Sequence, residues 1–138
     1  MFKKVLFCVF YLTLFSPFSS LLAEEEGVEQ ASDFQYFALE PDIITNYIKP
    51  GKKLGYLRLS IDLMVKSSSA YEAVEMNAPL IRDRIITIIG EQNESQIKSI
   101  VERDIMRQRC LTEVNEVLFE AIGIRPVYNL LFTKYFDQ

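Results

Sequence analysis

The clearest pattern in the chain lies between residues 57 and 66, where Leu57, Leu59, Ile61, Leu63 and Val65 alternate with Arg58, Ser60, Asp62, Met64 and Lys66. A period of two predicts a strand with one apolar face and one mostly wet face. A sheet solvated on one side is usually antiparallel. Two shorter runs come before it, residues 34–39 (FQYFAL) and 43–48 (IITNYI), rich in aromatic and β-branched residues and separated by Glu40, Pro41 and Asp42. Proline removes a ladder donor, so the break predicts two strands. Lys49-Pro50-Gly51-Lys52-Lys53 reads as a turn, with proline presetting one residue and glycine supplying the positive φ of the next.

After residue 66 the period lengthens. Ser69 and Glu72 have the spacing of a capping box and predict a helix start. Tyr71, Val74, Ala78, Ile81, Ile85 and Ile88 keep helical spacing across Pro79, which either opens a second helix in its first turn or kinks a single one. Residues 93–99 are polar and predict a loop. Residues 101–122 predict a long helix that buries Met106, Cys110, Leu111, Val114, Val117, Leu118, Ala121 and Ile122 and ends at Gly123. Arg125 and Pro126 turn the chain into residues 130–138 (LLFTKYFDQ), too apolar to be a fraying tail. As a strand, the segment has its backbone groups paired and alternate side chains packed on helices. The expected fold is α+β, an antiparallel sheet of three N-terminal strands plus a C-terminal strand packed against two or three helices.

The N-terminal residues change the picture of where this domain works. Lys3 and Lys4 precede residues 5–23, nineteen positions without a charge. Residues 1–23 read either as a secretory signal peptide cut after Ala23 or as an N-terminal membrane anchor, since about twenty residues span a bilayer core. Both readings export residues 24–138. Residues 24–33 are an acidic linker, and residues 34–138 form one domain. A cut at Ala23 removes Cys8 and leaves Cys110 alone, best read as a small buried hydrophobe with no disulfide to make. Two of the fifteen basic residues and none of the nineteen acidic ones lie in 1–23, so the remainder carries −6 in place of −4. That charge disfavours nucleic acid, whose binding needs neutralised phosphates.

Catalytic chemistry has little to stand on. The chain has no histidine, the usual general base and commonest transition-metal ligand, and one cysteine outside the leader cannot build a thiolate zinc site. Glu113, Glu116 and Glu120 share a helical stripe that reads as a solvated face. No calcium loop, phosphate-binding glycine loop or serine elbow occurs. These features point to a binding or assembly protein, with no enzyme activity, no cofactor and no small-molecule substrate.

The closing LLFTKYFDQ, with its apolar pair, Phe132-Thr133, an aromatic and a final Gln138, resembles the C-terminal signature of the FliL family of flagellar basal-body-associated proteins. LEPDIITN (residues 39–46), GYLRLSIDLMV (55–65) and APLIRDRIITII (78–89) resemble other stretches of that family in the same order. The resemblance covers residues 36–138. It implies a periplasmic, stomatin-like SPFH domain that associates with the inner membrane, self-associates in a homo-oligomeric ring around the flagellar stator proteins, and supports torque and motility. A basic cytoplasmic tail usual in the family is short here, which leaves open a soluble periplasmic adaptor of another envelope complex.

One residue stands out as a candidate contact. On the 101–122 helix, Phe119 falls away from the stripe of Met106, Cys110, Val114, Val117 and Ala121, beside Gln108, Thr112 and Asn115. Phe119 is either a rim residue or the aromatic anchor of a contact between protomers.

Overall fold

The computed structural model describes residues 33–138, so the signal or anchor and most of the acidic linker lie outside the described residues. Strand β1 (Gln35–Ala38) leads to β2 (Ile43–Lys49) and, through a turn at Pro50–Lys52, to β3 (Lys53–Val65). Gly51 supplies φ 77° at that turn, a conformation in which a side chain would be strained. Helices α1 (Ser68–Met76), α2 (Ala78–Gly90), α3 (Glu94–Lys98) and α4 (Ile100–Ile122) come next, and β4 (Val127–Asp137) completes the order.

Strand β3 organises the sheet. Along one edge it pairs with β1 at residues 62–65 and with β2 at residues 53–59, and along the other with β4 at residues 57–65, all antiparallel. Its alternation places Leu57, Leu59, Ile61, Leu63 and Val65 on the covered face at 0–2 % exposure. Against them pack Ile81, Ile85, Ile88 and Ile89 of α2, and Met106, Cys110, Val114 and Leu118 of α4. Burying each such side chain contributes about 1.5–3 kcal/mol, so the interlayer contact holds the helices onto the sheet. The chain is therefore α+β with a four-stranded antiparallel sheet covered by helices on one face.

Among the described residues four helices stand where two or three were expected. Pro79 opens α2 in its first turn, and Asn77 separates that helix from α1. The expected loop at 93–99 contains α3, whose start is a capping box: Asn93 accepts from the Gln96 N–H while the Gln96 side chain accepts from the Asn93 N–H. At α1 the cap is Ser67, which accepts from Ala70 N, and Ser69 lies inside the helix. Three consecutive serines offer equivalent oxygens, and Ser67 alone keeps the extended backbone of the strand before it (φ −151°, ψ 159°).

The last segment is held as expected. Leu130 is fully buried, Phe132 and Tyr135 pack on the core, and the backbones of Gln138 and Tyr56 exchange two hydrogen bonds of 2.9 and 3.0 Å. Tyr135 donates from its hydroxyl to the Ile97 carbonyl at 2.7 Å, which fastens β4 to α3.

Candidate interaction surface

At its C-terminal end α4 runs past the elements that cover it. Ala121 and Ile122, expected in the core, are exposed there, while Val117 and Leu118 one turn earlier are buried. Gly123 caps the helix in the left-handed conformation (φ 76°) and reverses the chain. The reversal lays Ile124 and Arg125 back beside the last two turns. Asn115 then grips the start of β4 through both of its amide atoms, accepting from Val127 N at 3.0 Å and donating to Val127 O at 2.8 Å.

Phe119 sits on this reversal at 43 % exposure, with the Arg125 guanidinium 3.9 Å from its ring centroid. The same guanidinium makes a two-pronged bond to Glu116, Nε to Oε1 at 2.9 Å and a terminal nitrogen to Oε2 at 3.1 Å. Hydrogen bonding from Arg125 holds the Glu116 carboxyl below its usual range, and the same bond raises Arg125. The guanidinium is thus fixed on two sides, by the Phe119 ring and by the Glu116 carboxylate. Ile122 and Ile124 are exposed nearby in the sequence. Phe119 is thus paired with Arg125 and does not stand as a lone ring.

The three glutamates separate by partner. Glu116 serves Arg125, Glu113 binds Arg109 at 2.9 Å and Arg84 at 3.4 Å, and Glu120 is exposed. None is among the buried residues. Cys110 is buried, and burial pushes its thiol up to about 12, far from the range of a reactive thiolate. Among the described residues no group of three or more Cys, Asp or Glu side chains could hold a metal ion, and no helix is long and apolar enough to cross a membrane.

The uncovered face of the sheet is less wet than its alternation suggested. Ile44, Ile48, Leu54, Tyr56 and Phe136 are each more than half exposed at its β2–β3 hairpin end. Tyr36 and Tyr128 are about equally exposed at the other end, where Lys66 lies over the Phe34 and Tyr128 rings, which meet at a tilt of 36°. Sequence reasoning missed this surface. Its signal was available in the apolar residues that alternate with buried ones along β2 and β4.

Comparison with known proteins gives two matches. A family model described as "Flagellar basal body-associated protein FliL" fits residues 36–138. The chain is also 32 % identical over 102 residues to a protein of Aquifex aeolicus (strain VF5) described as "Flagellar protein FliL". That alignment covers 74 % of the chain and 60 % of the relative, so the chain matches three fifths of that relative's length.

Proposed function

The chain belongs to the FliL family of flagellar basal body-associated proteins, and on that basis we propose that it works by binding alone, as a partner of the motor stator on the periplasmic side of the inner membrane that supports torque in swimming and swarming. The observation that carries this reading is the extent of the family match, residues 36–138, which takes in all four strands and all four helices apart from Gln35. In this reading the protein assembles as a homo-oligomeric ring, and Phe119 with its Arg125 partner is the protomer contact. Residues 1–23 either anchor the protein or are cut after Ala23.

Deletion of the gene, scored for swimming and for swarming on stiff agar, tests the proposal. Loss of motility under load is expected, and normal swarming would refute the motor role. A second reading, a soluble periplasmic adaptor, is favoured by Pro17 and the alanine at position 23, which suit cleavage. The deletion strain separates the two, normal swarming favouring the adaptor, while N-terminal sequencing of the cellular protein decides the anchor: Glu24 as the first residue means cleavage, intact Met1 in washed membranes a retained anchor.

A further inference from the structure

The chain enters the domain through β1, a strand of four residues, and a terminal strand so short frays unless something ties it down. Here the ties come from four elements. Beyond the ladder to β3, Gln35 donates from Nε2 to Ser68 Oγ of α1 at 3.1 Å, and the Phe37 ring meets Tyr71 of α1 edge-on at 5.4 Å. Leu39 donates from its N–H to Ile61 O at 2.9 Å, and Arg82 of α2 donates to the carbonyls of Leu39 at 3.3 Å and Pro41 at 2.6 Å. Phe34, one residue ahead of β1, stands 4.8 Å from the Tyr128 ring of β4. The Lys66 ammonium lies 4.1 Å from the centroid of Tyr128 and 5.5 Å from that of Phe34. Since β1 and β4 pair with opposite edges of β3, this contact joins the two edges across the end of the central strand.

We infer that this seat is a tension joint, in which β1 takes a pull from an N-terminal tether along its own axis and passes it to both layers of the domain without peeling away. Strands β1 and β4 are each antiparallel to β3 and so run in the same direction. The start of β1 lies at the Val65 end of β3, and Gln138 lies at the Tyr56 end. Hydrogen bonds of an antiparallel pair lie across the strands. A pull at residue 33 along the axis of β3 therefore loads all the bonds between β1 and β3 together, whereas a sideways pull opens them one at a time. Four residues supply few such bonds. The side-chain ties stand where the load arrives, at Phe34 and Gln35, and Arg82 holds the far end. With residues 24–33 read as a linker, β1 is the first folded element that a tether can pull. The inference rests on the retained-anchor reading of residues 1–23, and the two fail separately: Glu24 as the first residue of the cellular protein removes the tether, whereas a β1 that lets go first removes the joint.

The test pulls the full-length chain in an optical trap at constant force, in detergent, with one handle ahead of Met1 and the other after Gln138. Residues 34–138 are expected to open in a single step. An earlier step of at most about 30 Å, the span of residues 34–41 drawn out, means that β1 peels first and overturns the inference. Tyr128→Ala removes the ring that Phe34 and Lys66 share. It should speed opening at a given force about tenfold, the worth of one aromatic pair with an exposed cation–π contact. A second geometry bypasses β1 by moving the first handle to Met76→Cys in a Cys8→Ser chain. Met76 is 82 % exposed, and the buried Cys110 thiol stays unreactive. There Tyr128→Ala should change the opening rate less than about twofold. Lys66→Gln, a milder change, should show the same asymmetry at about threefold and serves if Tyr128→Ala does not fold. Equal acceleration in both geometries makes the contact an ordinary contributor to stability and overturns the joint, as does an opening rate that neither variant alters.

Discussion

Gly55 lies on β3 opposite Tyr47 of β2, on the covered face of the sheet. No left-handed backbone requires glycine there; space does. A Cβ at this position would meet Tyr47 Cε2 at 2.6 Å and Lys49 Cε at 2.7 Å, against an ordinary carbon–carbon separation of about 3.5–4.0 Å. Lys49 can swing away, but the Tyr47 ring is only 1 % exposed and has nowhere to go. Overpacking of this kind costs about 1–3 kcal/mol, from which the lower unfolded-state entropy of alanine recovers about 0.4–1 kcal/mol. Gly55→Ala should therefore destabilise by up to about 2.6 kcal/mol, with a fall of roughly 4–8 °C in Tm for each kcal/mol. Urea unfolding of the purified protein would show a lower midpoint at unchanged slope. In a Tyr47→Leu background, where the ring is gone, the penalty should largely vanish, and the double-mutant cycle reads the difference as coupling. An equal penalty in both backgrounds, or a stabilised single variant, would refute the steric reasoning.

Tyr135 and Tyr47 differ in one respect: the first hydroxyl donates to Ile97 O, the second is buried without a partner. Tyr135→Phe should cost about 1 kcal/mol and Tyr47→Phe should be neutral or stabilising, and paired melts in the reverse order would contradict the assignment. Phe119→Ala should leave the melting curve within the roughly 0.5 kcal/mol typical of surface changes while weakening self-association about thirtyfold if the ring is a hot spot; sedimentation equilibrium showing unaltered assembly would remove Phe119 from the interface. The Asp42 carboxyl is held low, first by the Ser60 hydroxyl and then by Arg58. A carboxyl lowered in the folded state contributes stability above its unfolded value of about 3.9 and loses it as pH falls through the folded value. Asp42→Asn should therefore be less stable than the parent at pH 7, with the gap closing below about pH 4, and a gap unchanged in strong acid would count against this role.

The long elements were legible because their periods were long. Five alternating pairs predicted β3, and nearly five turns of one apolar stripe predicted α4, each with more repeats than a loop would produce by chance. Helix α3 was hidden because five residues are too few to show a period; its Asn93 and Gln96 carried the only signal, and it was a cap. The start of α1 was displaced because a serine triplet does not say which oxygen has the extended backbone. Phe119 could be placed outside the core from helical spacing alone. Its Arg125 partner could not, because that contact depends on how Gly123 folds the chain back. The apolar character of the open sheet face went unread since a short β-branched run such as IITNYI tells which residues are strand and not which face lacks a cover.

Because β3 is completed on one edge by strands that precede it and on the other by β4, whose residues lie more than sixty positions downstream, the sheet closes only once residues 127–137 have been made. Until then the hairpin presents an unpaired edge to any strand it meets, and such edges template aggregation. Pairing across so long an intervening loop is also slow, because chain entropy is lost before the contacts repay it. The newly made domain therefore passes through an interval in which a holding chaperone is of most use, and substitutions that delay the docking of β4 should reduce soluble yield more than their effect on final stability would suggest.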